Sequence, residues 1–106
     1  MTQNTNDHVI TLRGDLGLID VARVQALFPE PSQIENRVVL DCAEATSMDS
    51  SILALIMTYR QRVQLSGRNP REAIVAIASP RLVRLFELTG ISRVITVVPA
   101  VTDGTA

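Results

Sequence analysis

The segment that decides the fold is VVLDCAEATSMDSSILALIM, residues 38–57. It opens with a Val-rich apolar run that ends at an aspartate, passes through a short polar stretch, and becomes apolar again from Ile52 onward. Short runs of this kind are typical of buried strands. Asp49, Ser50 and Ser51 are residue types that accept hydrogen bonds from the free amides at a helix start. The segment therefore predicts a strand, a loop and the N-terminus of a helix.

The predicted helix start brings two chemically useful serines together. One of Asp49, Ser50 and Ser51 is expected to cap the helix, and the other two then lie in its first turn. A hydroxyl in that turn faces solvent over the positive end of the helix dipole, where it can receive a charged group. From the residues alone two interpretations stay open: a helix cap without a further role, and a modification site.

The remaining chain alternates between strand and helix patterns. Apolar alternation indicates the first strand, and apolar residues three and four apart indicate each helix. Gly14–Gly17 is predicted to form a turn, with Asp20 as the next helix cap. Ser79 and Pro80 begin the last helix, and Gly90 ends it. The predicted strands are residues 9–13, 37–42, 73–78 and 93–98, and the predicted helices are residues 20–28, 50–65 and 79–90.

This order predicts an α/β fold in one domain of residues 1–106. Successive strand, helix, strand units require right-handed crossovers, so we expect a mostly parallel β-sheet of four to five strands with helices packed against it. The predicted core is about residues 8–98. We expect residues 1–7 and 99–106 to be flexible.

Composition excludes several classes of protein. The 106 residues are 46% apolar with only three aromatics, which predicts an aliphatic core. All ten basic residues are Arg, and the net charge is −1, a balance that does not favour nucleic-acid binding. One Cys and one His cannot form an internal disulfide or an ordinary zinc site. No apolar run is long enough to cross a membrane and no signal peptide is apparent, so we expect a cytoplasmic protein.

Individual side chains outside the junction receive ordinary structural interpretations. His8 is expected to be a partly exposed strand-end residue, and Cys42 a small buried hydrophobe rather than a reactive thiolate. Met48 and Met57 are interpreted as core residues, with a soft contact surface as the alternative. Arg81 and Arg84 share one helix face, which is either solvated or available to a partner's acidic groups.

The junction resembles the STAS domain, the fold of bacterial anti-sigma factor antagonists. A hydrophobic strand that ends in Asp41 and a Met-Asp-Ser-Ser motif at residues 48–51 match that family. The sequence LRGDL of residues 12–16 resembles the family's Gly-Glu-Leu-Asp turn, and SPRLVRLFELTG of residues 79–90 resembles its third helix. These segments together cover most of residues 9–98.

The resemblance implies a phosphorylation-controlled protein-binding switch. The phosphorylated residue would be Ser50, with Ser51 as the runner-up. The unphosphorylated form would bind an anti-sigma factor that has a histidine-kinase-like ATPase domain and so release the sigma factor, and phosphorylation would block this binding. A phosphatase is a further expected partner, whereas this chain is expected to hold no metal or cofactor. The residues expected to contact the partner are Thr46, Ser47, Met48, Asp49, Ser50, Ser51 and Ile52.

The sequence departs from the family pattern at two positions near the site, and the first of them bears on function. Ile52 stands where the family usually has Gly, and its bulk is expected to alter how a kinase or phosphatase reaches the hydroxyl of Ser50. Gly17 stands where the Gly-Glu-Leu-Asp turn usually ends in Asp.

Two other functions remain as alternatives. The domain would act as a constitutive scaffold or an accessory subunit of a larger complex, such as a stress-signalling assembly or a lipid-transport ATPase, if Ser50 is not modified. Catalysis is not expected, because the sequence lacks a Gly-x-Ser-x-Gly elbow and offers only His8 as an imidazole base. A monomer and a weak dimer are both compatible with the sequence.

Overall fold

The fold is a four-stranded parallel sheet with its helices on one side. The structure is a computed structural model that describes residues 6–101. The strands lie in the order β1-β2-β3-β4, and every neighbouring pair is parallel. The strands are β1 (His8–Leu16), β2 (Val38–Met48), β3 (Ile74–Ala78) and β4 (Thr96–Pro99), and the helices are α1 (Val21–Leu27), α2 (Ser50–Leu65), α3 (Pro70–Ala73) and α4 (Pro80–Thr89). The predicted α/β class and mostly parallel sheet are confirmed.

The strand order places all the helices on one face of the sheet. Three successive connections step in the same direction, and right-handed crossovers then put every connecting helix on the same side. Burial follows this arrangement. Ile10 and Leu40 pair in register and are 2% and 1% exposed, whereas Val9, on the opposite face of β1, is 58% exposed. The core therefore fills the space between one sheet face and the helices.

The first strand is longer than predicted, and the expected turn at residues 14–17 is wrong for its first three residues. β1 continues to Leu16 because Gly14 takes a φ of +72°, a left-handed conformation that glycine adopts without strain. The β1–β2 register shifts on both sides of this region, between Thr11 and Arg13 and between Gly14 and Asp15. These irregularities let the strand follow β2 to its end.

The second strand is also longer than predicted. The expected loop after Cys42 is absent, since β2 continues to Met48. Residues 38–41 pair with both β1 and β3, whereas residues 44–48 pair along β1 alone. Four of the residues from 43 to 48 are exposed and only Ala45 and Met48 are buried, so this part of the strand lacks a continuous apolar run. The strand consequently leads into α2 with only Asp49 between them.

Helix boundaries agree more closely with the sequence. α2 covers Ser50–Leu65, as predicted, and the predicted Ser79 side chain caps α4, accepting from the Leu82 amide at 3.4 Å. Gly90 ends α4 with a φ of +84°. α1 begins at Val21, directly after Asp20, and ends one residue before the predicted end at residue 28; its Leu27 is 41% exposed.

The last strand begins later than predicted. A 3-10 turn at Ile91–Arg93 follows α4, so β4 starts at Thr96 instead of residue 93. The short helix α3 (Pro70–Ala73), started by Pro70, includes the first residue of the strand predicted at residues 73–78, so β3 begins at Ile74. Of the segments expected to be flexible, residues 1–5 and 102–106 lie outside the described residues.

Candidate functional site

The junction between β2 and α2 is fixed by Asp49. Its backbone N–H donates to the carbonyl of Leu16 at 3.1 Å, which ties the start of α2 to the end of β1. Its carboxylate accepts from the backbone N–H of Ser51 at 3.0 Å and also from the Ser51 hydroxyl. Asp49 is therefore the helix cap among the three candidate residues.

The Asp49 carboxylate is held in its charged form. The Ser51 hydroxyl, followed by the backbone N–H groups of Ser51, Ile52 and Leu18, lowers its pKa below the ordinary value of 3.8. All these donors stabilise the ionised carboxylate rather than the neutral acid. The junction consequently carries a fixed negative charge beside Ser50 at neutral pH.

The two candidate serines have different environments. Ser50 is exposed at the first position of α2, and its hydroxyl has no hydrogen-bond partner among residues 6–101. Ser51 is half-buried, and its hydroxyl is engaged by Asp49. A hydroxyl that already donates to a carboxylate must give up that bond before it can be modified. The geometry therefore favours Ser50 over Ser51 as the group available to a reagent.

A second carboxylate organises the end of β2. Asp15 accepts from the hydroxyls of Thr46 and Ser47, at 2.5 and 3.0 Å. The Thr46 bond is the main cause of a lowered Asp15 pKa, with smaller contributions from Ser47 and from the positive charge of Arg81. Thr46 and Ser47 are both exposed, so they belong to the surface, but their hydroxyls are held by β1.

Two of the residues expected to contact a partner lie in the core. Met48 is 6% exposed and Ile52 is 0% exposed. They support the junction from beneath, and little of either side chain is exposed. Residues two apart in a helix point in nearly opposite directions, so Ile52 points away from the exposed Ser50. The expectation that the bulk of Ile52 alters access to Ser50 is therefore not supported by the geometry.

An exposed apolar pair beside the junction was missed at the sequence level. Leu18 and Ile19, in a 3-10 turn at Leu18–Asp20, are 73% and 95% exposed. The turn lies against the cap, because a Cβ placed on Gly17 would lie 3.2 Å from Asp49 Oδ2. The available sequence signal for this exposed surface was a pair of apolar residues between a glycine and a helix cap. A pair is too short to show the spacing of a strand or a helix.

The other candidate side chains serve structural roles. His8 is exposed, and its Nε2 lies 3.2 Å from the Leu27 carbonyl oxygen. Because β1 and β2 are parallel, His8 at the start of β1 lies at the opposite edge of the sheet from Ser50, about 25 Å of strand away. It is therefore not placed to act as a base for Ser50. Asp41 accepts from the Ala43 amide at 3.2 Å, and Met57 is 37% exposed rather than a core residue.

Cys42 is buried and unreactive by position. Its side chain is 0% exposed, and burial raises the pKa of the thiol to about 12. The prediction of a small buried hydrophobe is confirmed. Within residues 6–101, no group of three or more His, Cys, Asp or Glu side chains is placed to hold a metal ion. None of the helices in this part of the chain combines the length and apolarity of a membrane span.

Comparisons with known proteins give one result. A search of curated proteins found no significant match. A family model described as the STAS domain matches residues 1–104, which is nearly the whole chain, and the four-stranded α/β fold agrees with it. The chain therefore belongs to the STAS domain family.

Proposed function

We propose that this protein is an anti-sigma factor antagonist whose binding to its partner is controlled by phosphorylation of Ser50. STAS domains occur in anti-sigma factor antagonists. The observation that carries the proposal is the contrast between the two serines of the junction. Ser50 presents an exposed and unpartnered hydroxyl at the first position of α2, whereas the Ser51 hydroxyl is bound to Asp49.

The surface around Ser50 has the composition of a protein-binding site. We call it the junction surface, and it comprises Leu18, Ile19, Thr46, Ser47, Asp49 and Ser50. The apolar pair Leu18 and Ile19 can be desolvated by a partner, and the polar residues form a rim beside it. Burial of these two side chains against a partner would contribute hydrophobic free energy. This arrangement supports binding of a protein rather than a small polar substrate.

Phosphorylation of Ser50 would act on binding rather than on folding. A phosphate adds about −1.5 to −2 charges at neutral pH. The N-terminus of α2 favours negative charge, so the domain is expected to remain folded. A docked partner, however, would have to desolvate both the phosphate and the ionised Asp49 beside it. Loss of binding with an intact fold is what a reversible switch requires.

The proposed partner is an anti-sigma factor with a histidine-kinase-like ATPase domain. Its ATP would supply the phosphate, and this chain would be the substrate rather than an enzyme. A phosphatase would restore the binding form. This exchange depends on ATP, so we propose that the protein acts in the bacterial cytoplasm.

The test combines site mapping with binding. We expect the partner kinase to add a single phosphate, found on Ser50 by mass spectrometry, in the wild type and in Ser51→Ala but not in Ser50→Ala. Binding of the unphosphorylated protein, measured by calorimetry, should be lost in Ser50→Asp and in Ile19→Asp. Ser50→Ala is the matched control and should bind, because alanine removes the hydroxyl without adding charge.

The same experiment distinguishes the alternative function, a constitutive scaffold, from the phosphorylation switch. If Ile19→Asp abolishes binding while Ser50→Asp leaves it unchanged, the junction surface acts as a constitutive scaffold contact. The exposure of Ile19 favours this second function as much as the first, since an apolar contact needs no phosphate. Phosphate on Ser51, or on neither serine, would contradict the proposed switch.

A further inference from the structure

A groove lies between the end of β2 and helix α4. Its volume is about 520 Å³, within the range of roughly 300–1,000 Å³ that is typical of small-molecule sites. Thr46 and Ser47 form part of its wall, so it adjoins the junction surface without including Ser50. The remaining lining residues are Met48, Arg81, Leu82, Arg84, Leu85 and Leu88.

The floor of this groove, which we call the α4 groove, is apolar. Met48 and Leu82 are 6% and 0% exposed and close its base, and Leu85 is half-buried in its side. Leu88 is 75% exposed, although it lies next to these apolar groups. An apolar ligand in the groove would remove the Leu88 side chain from water and so gain hydrophobic free energy.

The rim of the groove carries two unpaired cations. Arg81 and Arg84 have no hydrogen bond or ion pair among residues 6–101, and the positive charge of Arg81 contributes to the lowered pKa of Asp15. Of the eight other arginines, four form ion pairs and two bind backbone carbonyls, whereas Arg60 and Arg93 have no side-chain partner among residues 6–101 and lie outside the groove. Two neighbouring guanidinium groups without partners are suited to an anion such as a carboxylate or phosphate.

The charged and apolar parts of the groove are separated along the helix axis. Arg81 and Arg84 lie in the first half of α4, whereas Leu85 and Leu88 lie in the second half. Spacings of three and four residues keep all four on one face. Arg81 and Leu88 are seven residues apart, which corresponds to about 10 Å along the helix axis. The groove thus offers a cationic end and an apolar end at the separation of a short aliphatic chain.

We propose that the α4 groove binds a small anionic amphiphile, with its carboxylate or phosphate at Arg81 and Arg84 and its aliphatic tail along Met48, Leu85 and Leu88. A helix of a protein partner is less well suited, because a helix is about 10–12 Å across and would need a groove that continues beyond two turns. This binding is separate from the proposed switch and does not require it.

The experiment is an NMR titration of the ¹⁵N-labelled full chain with decanoate, kept below its micelle concentration. We expect amide shifts at Met48 and along α4, with saturation. Acetate has the same head without a tail, and decyltrimethylammonium has the same tail with the opposite charge. Both should bind at least tenfold more weakly. Equal binding of the ammonium compound, or shifts outside the groove, would overturn the proposal.

Variants test which residues bind the anionic head of the ligand and which bind its aliphatic tail. Arg81→Gln/Arg84→Gln should weaken decanoate binding at least tenfold, and Leu88→Ala should weaken it severalfold. Both changes are on the surface, so the folded spectrum should persist. Arg93→Gln is the matched control, because it removes an exposed charge outside the groove. If decanoate fails to shift the groove amides, the proposal is wrong, and an acidic segment of a protein partner becomes the better occupant. Decyl phosphate in the same titration distinguishes a phosphate head from a carboxylate.

Discussion

The carboxylate of Asp49 accepts a hydrogen bond from the backbone N–H of Ser51 at 3.0 Å and at the same time binds the hydroxyl of that serine. One side chain thus stabilises the start of α2 and occupies one of two neighbouring serines. The hydroxyl of Ser50 remains available as a consequence. Helix capping and a modification site are therefore compatible here, since different residues perform them.

Replacing the cap should destabilise the domain. Asp49→Ala removes the acceptor of the Ser51 amide, and loss of a cap lowers the melting temperature of a domain of this size by roughly 5 °C. Circular dichroism against temperature measures the change. Asp49→Asn keeps a capping oxygen and should lose little, so an equal loss in both variants would show that the charge, rather than the cap, stabilises the junction.

Asp49→Ala should also change which serine is phosphorylated. Without Asp49 the Ser51 hydroxyl loses its acceptor, so Asp49→Ala is expected to allow modification of Ser51 as well as Ser50. Mass-spectrometric site mapping after treatment with the kinase would detect a second phosphate. Phosphate restricted to Ser50 in this variant would mean that the kinase itself selects the position.

The free energy of unfolding should fall at acid pH, because a small set of carboxylates becomes protonated. The pKa values of Asp15, Asp20 and Asp49 are lowered from 3.8, each by hydrogen bonds to the carboxylate. A group whose folded pKa lies below its unfolded pKa contributes stability above the unfolded value. That contribution is lost as pH falls below about 4 and through the lower folded pKa.

Urea unfolding between pH 6 and pH 2.5 measures this dependence. Asp15→Asn should flatten the acid limb of the curve, because an amide does not titrate while it can still accept from the Thr46 hydroxyl. Glu35→Gln is a suitable control on a residue outside this hydrogen-bonded group. An unchanged acid limb in Asp15→Asn would indicate that Asp15 has the same pKa in the folded and unfolded states.

Sequence patterns predicted those parts of the fold in which local chemistry determines the boundary. Residues 50–65 and the start of α4 were predicted correctly, because capping side chains, proline and glycine mark helix ends directly. The extension of β2 through residues 43–48 was not predictable in this way. Four of these six residues are exposed, so no apolar run marks a strand here, and pairing with β1, a long-range contact, holds them in one.

The site was predicted in part for a similar reason. The Met-Asp-Ser-Ser motif located the junction, but the sequence could not say which serine Asp49 engages, since both lie within reach of a cap. Leu18 and Ile19 were missed because their exposure depends on how the preceding turn packs against Asp49. Met48 and Ile52 were assigned to the partner surface by proximity in sequence, whereas the strand and helix geometry turns them into the core.

Ile52 should matter for stability rather than for access to Ser50. Its side chain is fully buried, so Ile52→Ala is expected to lower the free energy of unfolding by about 3 kcal/mol. Ile52→Gly should cost about 1 kcal/mol more, because glycine is unfavourable within a helix. Ile52→Val, at about 1 kcal/mol, leaves the domain folded and should be phosphorylated at the wild-type rate. A faster reaction in Ile52→Val would restore a role for its bulk.

The thiol of Cys42 should react very slowly with thiol reagents in the folded protein. Burial raises its pKa to about 12, so almost no thiolate exists at pH 8, and the 0% exposed sulfur is closed to reagents. Since the thiolate is the reactive form, reaction with Ellman's reagent should be at least 100-fold slower in buffer than in 6 M guanidinium. Ile52→Ala provides an internal comparison: where labelling needs global opening, the native-state reaction should become about tenfold faster for every 1.4 kcal/mol of lost stability. Rapid labelling of the wild-type protein in buffer would contradict the buried position of Cys42 at the end of the paired region of β2 and β3.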